Sequence, residues 1–328
     1  MTDYKGIQGV SIQSLASDPS LDEGQVWYNN ATYALKLAAV TTAGTWASGG
    51  NLNTGRNGNG GFGTQTSALS FGGDTPPVTS ATELYNGTSW TSNPTGLNTA
   101  RQQGGSSKSA SQTAGIFFGG YDTNNLIATE SWNGSTWTSV NNMATSARRV
   151  LGGVGTQTAA LAFAGYVGPA TTAATESWNG TSWTNVNAMP FARMQLGGSG
   201  LQTAGLAFAG TTTDPSTFTA STESWNGTSW SNVPGGNINT QRSNVAGFGT
   251  QTLALLAGGN LPPETGATEL WNGSTWTSNP NSLAAARDNL GGTGSQALGL
   301  VFGGGAHVTT TEEFTGPGSP VTKTITTS

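Results

Sequence analysis

Six arginines (Arg56, Arg101, Arg148, Arg193, Arg242, Arg287) and six glutamates recur along this chain. The glutamates, Glu83, Glu130, Glu176, Glu223, Glu269 and Glu312, lie at intervals of 47, 46, 47, 46 and 43 residues. Guanidinium and carboxylate groups could bind a charged ligand or move protons. A group that returns once per structural unit most often serves the unit, so these residues are expected to satisfy buried backbone groups, or each other, between strands. Little ionisable chemistry is left over. Six of the seven arginines belong to the series, and the single histidine, His307, reads as an exposed loop residue beside Gly305 and Ala306. Asp74, Asp122, Asp214 and Asp288 are scattered between repeats, and no spacing marks a carboxylate pair or a calcium loop. Zero cysteines exclude disulfides and thiolate metal sites. The expectation is a protein without catalytic residues, cofactor or metal.

A second recurrent signal is Asn-Gly followed by Ser or Thr, at Asn86, Asn133, Asn179, Asn226 and Asn272, as in ATESWNGSTWTSV at 128–140. It reads as a glycosylation acceptor, a fragment of a glycosidase signature, or a turn. The sialidase signature Ser-x-Asp-x-Gly-x-x-Trp is superficially similar to SWNGSTW. The register fails: Asn replaces Asp, Gly follows at once, and spare basic residues are too few for a carboxylate-binding arginine cluster. A galactose-oxidase-like copper site would need His, Tyr and a cross-linking Cys. The N-terminus has no basic region followed by an apolar core, so glycosylation, export and membrane insertion are not expected. Asn-Gly between two aromatic strands is also a strong hairpin signal, because both residues accept the positive φ of a type I′ turn.

These residues need short strands to position them, and the composition suits strands. The chain of 328 residues has 50 glycines, 11 tryptophans and only 8% charged residues, a balance that points to an all-β fold. The formal charge of −5, without a Lys/Arg cluster, argues against a nucleic-acid surface. A period of 40 to 50 residues dictates a repeat architecture. A tryptophan recurs at Trp46, Trp90, Trp137, Trp183, Trp230 and Trp276, and a glutamine follows each arginine at Gln65, Gln112, Gln157, Gln202, Gln251 and Gln296. Each unit parses into four strands: a Gly-Gly strand nearest an axis, an alternating small/apolar strand such as 204–210, and two aromatic-flanked strands around the Asn-Gly turn. The first tryptophan has no Thr-Glu strand before it, and the last Thr-Glu strand, at 311–316, has no tryptophan strand after it. A ring resolves both deficits if the strand near Trp46 pairs with the strand near Phe314. The expected fold is a closed six-bladed β-propeller, its last blade built from both ends of the repeat region.

Arg193, Gly210, Glu223, Trp225, Trp230 and Arg242 follow the kelch order of arginine, di-glycine, glutamate, aromatic, tryptophan and next arginine. Met143 and Met189 fall at the usual Met. The chain thus resembles kelch repeats over about 44–316, departing where Asn-Gly replaces Asp-Pro and where the di-glycine is Ala-Gly in two units. Residues 1–43 lie outside the repeat. Their EGQVWYNNATYALKLAAV stretch reads as a small hairpin with Val26, Tyr28, Tyr33, Leu35 and Leu37 alternating around a polar turn. It resembles the short hairpin near the ends of many tail-fibre and other virion proteins of tailed bacteriophages, including marine ones. That resemblance implies an attachment element carried by Val26, Trp27, Tyr28, Tyr33 and Leu35. Residues 317–328 read as an extended tail that a β-rich partner could order.

Landmark spacings separate two faces. Glu to Trp is always seven residues, whereas the loops between di-glycine and Thr-Glu run 8, 8, 9, 11, 8 and 6, and Trp to Arg varies from 10 to 12. In a four-stranded antiparallel blade these variable loops share one face, and loops on a rigid scaffold are where binding usually resides. That face offers Pro76, Pro77, Tyr121, Asp122, Asn124, Tyr166, Asp214, Phe218, Pro262 and Glu264. The expected function is a non-enzymatic structural protein of a tailed-phage virion, assembled in the host cytoplasm in multiple copies. It would contact other virion proteins through its N-terminal segment and a host-surface glycan or protein through its loops, with no nucleic acid or membrane. A secreted or surface lectin-like propeller is the alternative, and a propeller glycoside hydrolase the third reading.

Overall fold

The computed structural model describes residues 12–19, 25–40, 42–212, 217–318 and 320–325. Among them there is no helix, and the strands form seven four-stranded sheets. The chain divides into two compact units, 45–315 and a smaller unit of 1–44 with 316–328.

The larger unit is all-β and propeller-like, with six antiparallel four-strand repeats. The fourth sheet is typical, running in chain order through Gly197–Leu201, Ala204–Phe208, Thr222–Trp225 and Trp230–Asn232. The sixth sheet takes its outermost strand from the other end of the repeat region: Thr45–Ser48 pairs with Thr311–Thr315, placing Trp46 opposite Phe314. Glycine in the first strand is a packing requirement. A Cβ on Gly152, Gly197 or Gly291 would lie 2.1, 2.4 or 2.4 Å from the ring of the phenylalanine directly opposite, Phe163, Phe208 or Phe302. In the fifth sheet the same pair is Ala246 and Ala257: with no phenylalanine ring opposite, the first strand accommodates a Cβ.

Three hydrogen-bond sets join successive sheets. The indole N–H groups of Trp137, Trp183, Trp230 and Trp276 donate to the threonine hydroxyls of Thr82, Thr129, Thr175 and Thr222, at 2.9–3.0 Å. Trp46 and Trp90 make the same bond to Thr268 and Thr311, both at 2.9 Å. Each repeat glutamine donates to carbonyls of the preceding sheet: Gln112 reaches Ala68 and Tyr85, and Gln65 reaches Gly299 and Phe314 of the sixth sheet. Finally, a chain of backbone bonds runs from Gln103 N–H to Gly58, Val150 to Gln103, Gln195 to Val150, Asn244 to Gln195 and Asn289 to Asn244. Gly58 N–H donates to Asn289 at 2.8 Å, returning the chain of bonds to its start. All six residues are left-handed, with φ between 49° and 64°.

Within each sheet the repeat arginine, just ahead of the first strand, pairs with the glutamate of the third strand, as expected. Both partners are buried in all six pairs. Burial pushes the guanidinium of Arg56, Arg101, Arg148, Arg193 and Arg242 down from its usual range, against the raising effect of the paired glutamate. In five sheets the second glutamate oxygen accepts a loop N–H, from Asn53, Asn98, Ala144, Asn239 or Ala284. In the fourth, the equivalent position is Pro190, which has no N–H. Glu223 Oε1 is accordingly without a partner, and burial raises the Glu223 carboxyl despite Arg193.

The Asn-Gly turns differ from the expected type I′ geometry. They are four-residue connections in which only glycine has positive φ, 92° at Gly87. Asn86 Oδ1 instead accepts the N–H groups of Thr88 and Ser89, each at 2.9 Å. Asn133, Asn179, Asn226 and Asn272 do the same. A side-chain carbonyl that caps two amides removes the need for a left-handed asparagine.

In the smaller unit Val26–Asn29 and Ala34–Val40 form the expected hairpin, with Tyr28 opposite Leu35. Gln13–Leu15 adds in parallel on one edge, and Pro320–Thr324 adds antiparallel on the other. Within the segment read as an extended tail, Pro320–Thr324 is thus a strand, and its β-rich partner is the chain's own hairpin. The proposed anchor residues do not form one surface. Trp27 is fully buried and donates its indole N–H to Asp18 at 3.1 Å, Val26 and Leu35 are half-buried, and Tyr28 is exposed. Tyr33 leaves the alternation because it occupies the turn, with φ 54° and 81% exposure.

Replacing Glu176 by Ala should strand a buried guanidinium and cost about 3–5 kcal/mol in thermal or denaturant unfolding. Pro190→Ala should do the opposite, adding the missing donor to Glu223 for a net gain of about 1 kcal/mol. An unchanged midpoint in either variant would reject the corresponding role.

Candidate functional site

The two sets of variable loops meet. In five repeats the residue after the arginine bridges the residue after the di-glycine, giving Asn57–Asp74, Gln102–Tyr121, Arg149–Tyr166, Met194–Thr211 and Ser243–Asn260. The left-handed residues come next in the chain, so both loop sets lie beside that ring of backbone bonds. Among the second to fourth sheets the loops enclose a cleft of about 520 Å³, lined by Gln102, Gln103, Tyr121, Arg149, Val150, Tyr166, Pro169, Met194 and Gln195.

Arg149, the arginine outside the repeat series, lies between two aromatic faces. Its guanidinium carbon is 4.3 Å from the centroid of Tyr121 and 5.1 Å from that of Tyr166. The equivalent positions in other sheets hold Asn57, Gln102, Met194, Ser243 and Asp288, so only this sheet can build the stack. The tyrosines hold the guanidinium by cation–π attraction, and the planar fork keeps donors for an incoming acceptor. Tyrosine faces take the apolar face of a ring, while guanidinium and glutamine amides take hydroxyls or carboxylates. This combination suits a saccharide, or a polar aromatic-bearing surface loop.

Of the ten loop residues singled out in the sequence, Tyr121 and Tyr166 come together here. Asp122 serves its own loop: its carboxylate accepts the N–H of Asn124 at 2.7 Å and that of Thr123, and these backbone bonds hold it below the usual range. Asn124 is exposed at the tip, and Pro76, Pro77 and Pro262 are exposed on the loops of other sheets. Phe218 is half-buried, bridged to Thr211. Asp214 lies outside the described residues. Sequence reasoning missed Arg149, Gln102, Gln103, Met194 and Gln195, although Arg149 carried a signal as the one arginine without a counterpart in other repeats.

Two acidic contacts also depart from expectation. Glu264 lies near Asp288, and burial together with Asp288 raises the Glu264 carboxyl. Asp288 Oδ2 accepts the side-chain amides of Asn244 and Asn289, both at 3.2 Å. His307, read as exposed, is half-buried with Nε2 3.2 Å from Asp74 Oδ2. Among the described residues no group of three or more His, Cys, Asp or Glu gathers. The face is therefore polarised, with Arg149 on one side and Glu264, Asp288 and Asp74 on the other.

A carboxyl whose folded pKa is raised contributes stability while protonated and loses it as pH climbs through that pKa. Glu264→Gln should therefore flatten the fall in melting temperature above the ordinary glutamate value of 4.5. A variant with the same pH slope as the parent would show that the contact is not formed. No protein-family model matches this chain, and no curated protein matches it either.

Proposed function

We propose that this chain is a non-enzymatic recognition protein of a tailed-phage particle. In this reading the six repeats are the blades of a closed, kelch-like propeller, displayed in several copies on virions assembled in the host cytoplasm. Closure is supported by the pairing of Trp46 with Phe314, the Gln65 bonds to the sixth sheet and the returning chain of backbone bonds. The observation that carries recognition is Arg149 held between Tyr121 and Tyr166 in an open cleft on the loop-bearing face. Its partner is a host-surface glycan or protein with hydroxyl or acidic groups. Attachment to other virion proteins rests on the N-terminal hairpin, through exposed Tyr28 and Tyr33 rather than the enclosed Trp27.

The same cleft supports a secreted or surface lectin-like propeller. The Glu264–Asp288 contact favours no hydrolase, since glycosidase carboxylates stand about 5 Å or more apart to flank the scissile bond. Proteomics of purified particles distinguishes the readings: co-purification with virions is expected, and its absence overturns the virion assignment. Replacing Tyr121, Arg149 and Tyr166 by Ala should weaken adsorption to host cells, or glycan-array binding, by about tenfold or more, with the fold retained by circular dichroism. Undiminished binding would reject the cleft.

A further inference from the structure

One half-buried cation has no carboxylate. Arg101 to Gln112 spans 11 residues where the other five repeats span nine, and the two extra residues shorten the first strand of the second sheet to Gly105–Ser106. The displaced segment, 107–109, crosses to other sheets. Ser109 N–H donates to Gly155 at 2.9 Å, Ser109 Oγ to Gly200 at 2.8 Å, and Lys108 Nζ to Gly292 of the sixth sheet at 3.2 Å.

Lys108 thereby enters a cavity of about 100 Å³ lined by the glycine-rich first strands and the six left-handed residues. Each first strand pairs with a neighbour on one edge only, so its other edge presents backbone groups without a strand partner. Lys108 is the sole ionisable residue among those lining the cavity. Dense surrounding protein lowers its ammonium to about 8 by desolvation alone, with no carboxylate to oppose it. Below that pH it remains a cation, with one carbonyl acceptor for three N–H donors. The six buried arginines each have a glutamate. No carboxylate among the residues lining the cavity supplies the counter-charge here.

We propose that the axial cavity is a binding site for a small oxyanion group, a sulfate or carboxylate, held by Lys108 Nζ. The anion completes the ion pair that the two-residue insertion leaves half built. Its source is either a free ion or an acidic substituent of a larger ligand. The cavity shares Gln103, Val150 and Gln195 with the Tyr121–Arg149–Tyr166 cleft, which places the two sites side by side. The site does not depend on the virion reading.

The test is thermal unfolding and calorimetric titration of the full chain with sodium sulfate, and separately with galactose 6-sulfate, at matched ionic strength with chloride. Saturable stabilisation and binding by sulfate are expected, reduced about tenfold or more in Lys108→Met and retained in Lys108→Arg. If galactose 6-sulfate shows the same dependence on Lys108, the group enters attached to a ligand; if only sulfate does, the ligand is the free ion. Should Lys108→Met fail to fold, titration of the unaltered protein decides the matter. Sulfate affinity should fall as pH rises above about 8, where the ammonium loses its proton. No sulfate binding beyond the chloride control, full retention in Lys108→Met, or affinity unchanged across that pH range would overturn the proposal.

Discussion

An arginine and a glutamate buried together constrain everything around them, because either charge left without the other away from water is costly. In each repeat the guanidinium sits ahead of the first strand and the carboxylate on the third, so the pair fixes where the loop enters the sheet. The remaining carboxylate oxygen takes a loop N–H three or four residues before the arginine in five repeats. The residue before that donor is a buried Leu, Met or Ile in all six repeats, Leu52, Leu97, Met143, Met189, Ile238 and Leu283. Charge satisfaction and apolar burial therefore hold the same turn from two sides. Pro190 shows the arrangement by exception: Glu223 Oε1 is left without a partner, and burial raises the Glu223 carboxyl.

Neutral bonds do the joining between sheets. Indole to threonine hydroxyl and glutamine to carbonyl are directional but carry no net charge, so sheets assemble without burying further ions. This division leaves the loops between di-glycine and Thr-Glu free to vary in length and content. Two neighbouring repeats use that freedom to place Tyr121, Arg149 and Tyr166 together. A third departure, the two extra residues after Arg101, is spent among the glycine-rich first strands, where it sets Lys108.

Much of the scaffold was legible because repetition turns one chain into six readings of the same unit. The intervals between glutamates, the half-units at either end and the constant Glu-to-Trp spacing pointed to four-strand repeats and to the pairing of Trp46 with Phe314. The Arg–Glu partnership was legible for the same reason. The Asn-Gly turn was misread in detail, since residue type alone does not say whether an asparagine offers its backbone or its side-chain carbonyl. The candidate site was legible only in part. Tyr121 and Tyr166 were found as loop aromatics, but Arg149 was set aside beside a repeat arginine, and Asp122 drew attention although its carboxylate caps its own loop.

The sequence by itself determined the strand content, the repeat unit and the partners within each repeat, because these depend on local periodicity and on contacts at fixed sequence offsets. Only the tertiary structure decided what lies between repeats and between distant ends. It put Arg149 between two tyrosines, set Glu264 against Asp288 and carried Lys108 to a glycine-lined cavity. It also paired the C-terminal strand with the N-terminal hairpin. Such contacts join residues whose separation along the chain bears no relation to their distance in space, so no spacing could announce them.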